Sequence, residues 1–153
     1  MTRKEIFEIV DARESSHHRN DDIKNLIKQD GLSSKKWSCN GKEEFCILDL
    51  GEPKDVAGID IAWFDGKIRR QQFEIQGGNE DPEKSLARLA ASISSGTTDK
   101  YEEITFERPK KMRYVKLLNL GNTLNDFMSI RGIQVFGNAP EDDDKDLSKP
   151  IEK

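Results

Sequence analysis

Gly58-Ile59-Asp60-Ile61-Ala62-Trp63-Phe64-Asp65-Gly66-Lys67-Ile68-Arg69-Arg70-Gln71-Gln72-Phe73-Glu74-Ile75-Gln76 is the stretch that decides the fold class. Ile59, Ile61 and Trp63 share one parity, and Phe73 and Ile75 share another, as two half-buried strands require. Asp65-Gly66 is a tight polar crossing between them, so the stretch reads as a hairpin. By the same parity Trp63 belongs to the core, while Phe64 points the other way beside the turn. An aromatic, a carboxylate and several cations within a few residues are more chemistry than a plain connection needs.

Outward from this stretch the pattern stays short and strand-like. On the N-terminal side, Phe45 to Leu50 places Cys46, Leu48 and Leu50 on one face and is closed by Gly51-Glu52-Pro53, which reads as a turn. Ile6 to Val10 reads as a first strand, followed by the polar run Asp11 to Asp22. Ile23 to Ile27 has helical periodicity, capped in front by Asp21 or Asp22 and stopped at Asp30-Gly31. On the C-terminal side, Pro82 to Ala91 has the strongest helix-forming composition in the chain, with Pro82 at a first helical position. Tyr101 to Phe106 alternates, Arg108-Pro109-Lys110-Lys111 reads as a turn, and Met112 to Leu118 and Ile130 to Phe136 read as strands. Many short strands, frequent turns and little helix indicate an antiparallel all-β sandwich with short helices in its loops.

Composition narrows the function. The chain has 153 residues, 34% apolar and 35% charged, enough for one core with solvated loops. From Asn138 onward six acids face three lysines, so this stretch holds −3 of the net −4 and the body before it is close to neutral. Residues 1–137 read as one domain and 138–153 as an acidic, disordered tail or linker. A near-neutral body without a basic stripe speaks against nucleic acid. No run approaches the roughly 18 apolar residues of a membrane helix. The first residues lack the apolar region of a secretory signal, which suits an intracellular protein or one whose signal has been removed. Cys39 and Cys46 read as two buried thiols, and His17-His18 as loop residues whose side chains diverge. No nucleophile elbow, phosphate loop or metal motif is present.

Several segments together resemble a discoidin-type (coagulation factor type C) domain. They are Trp37-Ser38-Cys39-Asn40-Gly41, Ile47 to Gly51, Val56 to Gly66 with Arg69 and Phe73 to Gln76, Ser95 to Thr98, Met112 to Lys116, Gly121-Asn122, Asn125-Asp126-Phe127, and Ser129 to Gly137. The resemblance runs from about residue 8 to 137 and is strongest to carbohydrate-binding modules attached to alginate and other polysaccharide lyases. It implies a jelly-roll β-sandwich of about eight strands with a ligand site in loops at one end. The ligand-binding set it suggests is Phe64, Asp65, Lys67, Arg69, Asn122 and Asn125, with no catalytic residue. Phe64 would face the C–H surface of a sugar, and an arginine would fork onto a uronate carboxylate. Many relatives also hold a structural calcium ion. Here Asp30 is kept, but Leu32, Lys35 and Gly132 stand where oxygen ligands are common, so neither metal nor cofactor is expected and Lys35 supplies the positive charge near Asp30.

The expected partners are therefore a polysaccharide or oligosaccharide, acidic and alginate-like, and a fused or partner catalytic domain, with no nucleic acid and no membrane. The family analogy places such a module outside the cell. A protein- or lipid-binding discoidin-like adaptor, and a lyase or hydrolase in its own right, are the rival readings.

Overall fold

The computed structural model describes residues 4–17, 23–27, 36–64, 70–80, 87–94, 100–122 and 127–139. Within them lie eight strands and one short helix: β1 (Lys4–Phe7), β2 (Asp11–Glu14), α1 (Lys24–Ile27), β3 (Trp37–Asn40), β4 (Phe45–Trp63), β5 (Gln71–Gly78), β6 (Ala87–Ser94), β7 (Tyr101–Asn122) and β8 (Phe127–Asn138). Every pairing is antiparallel. The expected jelly-roll sandwich is what forms.

Its two layers come from two long strands that each serve both sheets. The first half of β4 pairs with the second half of β7 (Phe45↔Leu118 to Asp49↔Tyr114), and β5, β6 and β2 complete that layer. The second half of β4 pairs with the start of β7 (Gly58↔Thr105 to Ala62↔Tyr101) and with β8, which carries β1 and β3 on its far side. Between the halves, Leu50 to Pro53 stand against Arg113 alone, and Phe106 to Pro109 stand against Ala57 alone. The turn signals at Gly51-Glu52-Pro53 and Arg108-Pro109-Lys110-Lys111 therefore mark no reversal. They lie near one another across the β4–β7 ribbon, where it bends from one sheet to the other, and the prolines occupy positions free of ladder bonds.

The opening stretch is also corrected. Its two strands, the end of β4 and β5, are consecutive in sequence but not hydrogen-bonded to each other: they lie in opposite layers, the end of β4 on the first half of β7 and β5 on its second half. The burial expected from parity does hold, with Ile59, Ile61, Trp63, Phe73 and Ile75 all in the core. The helix expected up to Ala91 gives way to β6 over Ala87–Ser94, where Phe73↔Ile93 and Ile75↔Ala90 pairing to β5 outweighs local helix propensity. Residues 81–86 and the tail from residue 140 lie outside the described residues. The polar run after Val10 contains β2, whose Ala12 is buried against the core, and β3 begins at the fully buried Trp37. Glu14 at the end of β2 accepts the Ile23 N–H at 2.9 Å and so caps the entry to α1; Asp21 and Asp22 are outside the described residues.

The bend is pinned by a charge pair. Arg113 Nε donates to Asp49 Oδ1 at 2.8 Å and its Nη2 to Oδ2 at 3.1 Å, while Oδ1 also accepts the Gly51 N–H at 2.8 Å. This hydrogen bonding from Arg113 holds the Asp49 carboxyl below its usual range. A depressed folded-state pKa contributes stability above the unfolded-state value of about 4, and that stability is lost as pH falls through the lower folded value. Asp49→Asn is thus expected to cost roughly 1–3 kcal/mol at neutral pH. In urea unfolding, the gap to the wild type should narrow as pH falls below the usual carboxylate range; a gap independent of pH would rule out this role.

Candidate functional site

Trp63 and Phe64, at the end of the opening strand, mark one end of the sandwich. Trp63 closes the core there: its ring meets Phe73 of the opposite sheet at 4.9 Å and 59°, and its indole N–H donates to Glu102 Oε1 at 3.0 Å. With its polar atom satisfied and its surface covered, Trp63 is structural, as parity indicated. The next residue, Phe64, follows an irregularity in the β4–β8 register between Ala62 and Trp63, a feature that re-aims side chains. Its backbone N–H is held by Ser129 O at 3.0 Å, its ring is half-buried, and the Lys36 ammonium lies 4.4 Å from the ring centroid.

Beneath this end sits a polar hub that sequence reading passed over. Asn119, fully buried, donates from Nδ2 to Gly41 O at 2.7 Å and accepts at Oδ1 from the Gly121 N–H and the Gln71 amide, both at 2.8 Å. Gln71 also donates to Gly121 O at 2.9 Å. The Asn119 backbone adds bonds to Glu43 and Glu44, so the β3–β4 turn, the end of β7 and the start of β5 share one anchor. Gly121 has a φ of 102°, a conformation that glycine adopts without strain, and this turns its N–H back onto Asn119. The available signal was parity: Asn119 continues Val115 and Leu117, and Gln71 continues Phe73 and Ile75, so both point inward.

The hub and the Phe64–Ser129 bond bring together the described residues that flank two stretches of the chain. Gln71 pairs with Asn122, so the return from residues 65–69 lies beside the departure into residues 123–126. Phe64 lies beside Ser129, so the other ends of the same two stretches are also neighbours. Asp65, Lys67, Arg69 and Asn125 are in these stretches and outside the described residues. Asn122 ends β7, and of its side chain nothing is described. Of the six candidates, Phe64 is the one whose side chain is placed.

Other candidates take structural positions. Ser38 and Ser129 share a buried hydroxyl–hydroxyl bond of 2.8 Å between β3 and β8. Burial pushes the Cys46 thiol up and that of Cys39 to about 12, which keeps both protonated at neutral pH, in keeping with two buried core thiols. His17 contacts Glu14 beyond β2, and His18 is outside the described residues. Asp30, Leu32 and Lys35 are likewise outside them. Gly132, where the family's late acid would stand, is buried in β8 opposite Ala62 and brings no oxygen side chain, so this position does not fit a calcium cage.

The chain is similar to known proteins along most of its length. A family model described as the F5/8 type C domain matches residues 11–133. A solved chain of truncated AlyQ with CBM32 and alginate lyase domains shares 29% identity at a TM-score of 0.82; 92% of this chain is covered, and it spans 35% of that one. The CBM32 of AlyQ in complex with 4,5-unsaturated mannuronic acid shares 31% identity at a TM-score of 0.78, covering 86% of this chain and 98% of that one. A pectin-binding carbohydrate-binding module shares 26% identity at a TM-score of 0.76, covering 84% and 91%. Among curated proteins, no sequence matches the chain.

Proposed function

The chain belongs to the F5/8 type C (discoidin-like) domain family, and from that premise we propose that it is a non-catalytic carbohydrate-binding module for an acidic, alginate-like polysaccharide. The observation that carries this reading is the overlap with 98% of a module solved holding an unsaturated mannuronic acid, at 31% identity. Phe64, half-exposed just past the end of β4 and held by Ser129, supports it from within the chain. In this reading Phe64 takes the C–H face of a sugar ring, Arg69 forks onto a uronate carboxylate, and Lys67 adds local attraction. Asp65, Asn122 and Asn125 bond hydroxyls. The 30–35 loop works without calcium, with Lys35 as its positive charge. The benefit of such a module is effective concentration: it holds an attached enzyme near a polymer outside the cell, in the way the AlyQ chain joins a module to a lyase domain.

Titration with soluble oligosaccharides, neutral against polyuronate, tests the reading. The wild type is expected to bind the uronates weakly, and Arg69→Ala to lose about tenfold or more in affinity. No glycan bound at about millimolar concentration would favour the adaptor reading. Product release from the polymer would favour an enzyme.

A further inference from the structure

At the bend, away from the Phe64 end, lies a groove of about 410 Å³. One wall is four consecutive residues, Glu5 to Glu8, and the other is the β4 bend, with Leu50 and Glu52 among its residues. Consecutive strand residues alternate faces, so a cavity lined by four in a row runs along the edge of the strand. That edge is open: among the described residues β1 pairs with β8 alone and stands last in the sheet. Ile6 and Val10, the large apolar side chains left exposed among the described residues at 48% and 50%, both line the groove.

Charge decides what can lie there. Glu52 is answered by Lys54 Nζ at 2.9 Å, and that ammonium lies 5.8 Å from the Phe7 ring centroid. The exposed Glu5 and Glu8 carboxylates have no ion pair or hydrogen bond among the described residues. Over Glu5-Ile6-Phe7-Glu8 the edge therefore reads acidic, apolar, apolar, acidic. A strand laid on an edge sets its side chains directly against those it pairs with, where opposite charges or two apolar groups are favoured and like charges are not. A second copy of β1, antiparallel and in the register that matches the apolar pair to itself, would set Glu5 against Glu8 twice. The acids thus turn the edge away from self-association. The sequence that fits is the complement, basic, apolar, apolar, basic, which has the same pattern in either direction.

We propose that the open edge of β1 is a docking site for an extended segment of a partner protein carrying a basic–apolar–apolar–basic run, which adds as a strand beside β1 and fills the groove at the β4 bend. Main-chain bonds supply affinity for any extended segment, and the two acids with Ile6 and Phe7 supply the selection. The site is separate from the proposed sugar site, none of whose residues lies on β1 or the bend. One module can hold a polymer at its Phe64 end and a partner at the other.

Amide chemical-shift titration of the nitrogen-labelled protein tests this with three capped peptides: TKVIKT, its charge-reversed form TEVIET, and TKSSKT, which lacks the apolar pair. TKVIKT is expected to bind with a Kd of about 1 mM or below at low salt and to move the amides of Glu5 to Glu8, Gly51 and Glu52. TEVIET is expected to bind at least about tenfold more weakly. Glu5→Lys combined with Glu8→Lys, both at exposed positions, exchanges the preference: TEVIET becomes the better ligand and TKVIKT loses about tenfold. A merely solubilising role for the two acids would not transfer binding from one peptide to the other. The proposal is overturned if TKVIKT at about 5 mM moves none of those amides, or if TKSSKT binds as tightly as TKVIKT. It is equally overturned if the charge-reversed variant keeps the wild-type preference.

Discussion

Asn119→Ala is expected to destabilise the domain by roughly 3–5 kcal/mol and to abolish ligand binding even where the protein stays folded. The truncation removes one donor and one doubly used acceptor from a site with no exposure to solvent. Gly41 O loses its 2.7 Å bond, and the Gly121 N–H and Gln71 amide lose theirs at 2.8 Å. Each buried group left unmade costs about 1–3 kcal/mol, and Gln71 keeps part of its bonding through Gly121 O. The sum therefore falls below three independent losses. Binding suffers separately, because these bonds hold the roots of the β3–β4 turn, β5 and the stretch after Asn122. Asn119→Asp sharpens the test: it keeps both accepted bonds but turns an oxygen toward Gly41 O and buries a charge, and it should destabilise at least as much at neutral pH. A loss below about 1 kcal/mol in urea unfolding of Asn119→Ala would show that water or repacking replaces the hub.

How much of this was legible in the sequence follows from how local each feature is. Alternation in Ile59, Ile61, Trp63, Phe73 and Ile75 reports burial, a property of each strand alone, and the core contains all five. The partner of a strand is not local. Nothing between Trp63 and Phe73 tells that β5 will cross to the opposite layer and pair with Tyr114 to Asn122 rather than with the end of β4, because that pairing is decided by long-range closure of the sandwich. Gly51-Glu52-Pro53 and Arg108-Pro109-Lys110-Lys111 were sound signals of departure from regular pleating. Only their proximity across the β4–β7 ribbon turns two turns into one bend. The Ala-rich run in β6 shows the reverse case, where hydrogen bonds offered by β5 outweigh a local helical preference.

The candidate site divides the same way. Its family pattern and the aromatic beside the crossing were readable, and Phe64 is half-exposed where it was expected. Asn119 and Gln71 were readable by parity as inward polar residues, though not as partners of each other. The contact of Lys36 with Phe64 was not readable: the two are far apart in sequence, and only the pairing of both β3 and β4 with β8 brings them together.

Gly58→Ala is expected to cost more than about 3 kcal/mol, enough to leave little folded protein, while leaving ligand affinity of any folded fraction unchanged. Gly58 is where β4 leaves the bend and becomes flanked on both sides, by Thr105 of β7 and Phe136 of β8. A methyl group there would collide with the Ile104 carbonyl oxygen and lie 2.8 Å from Phe136 Cζ and 3.0 Å from Thr105 Cα. The ring has little room to retreat. Phe136 is buried, with the Lys4 ammonium 4.4 Å from its centroid, and that ammonium also reaches Asp60 at 3.1 Å and Glu103 at 2.8 Å. Two of the three obstacles are backbone, and they are the decisive ones. Gly58→Ala combined with Phe136→Leu relieves only the ring contact, so the double variant should stay as unstable as the single one or become worse through the lost aromatic packing. Recovery of wild-type stability in the double variant, measured by thermal unfolding, would instead place the whole requirement for glycine on the Phe136 ring. Gly51→Ala gives the scale: its φ of 87° strains any side chain, but its methyl meets only Val10 at 3.3 Å on an exposed edge, and it should cost about 1–2 kcal/mol. The larger penalty belongs to Gly58 because there the β4–β7 ribbon and β8 close on one Cα from both sides, which is the condition for one strand to serve two sheets.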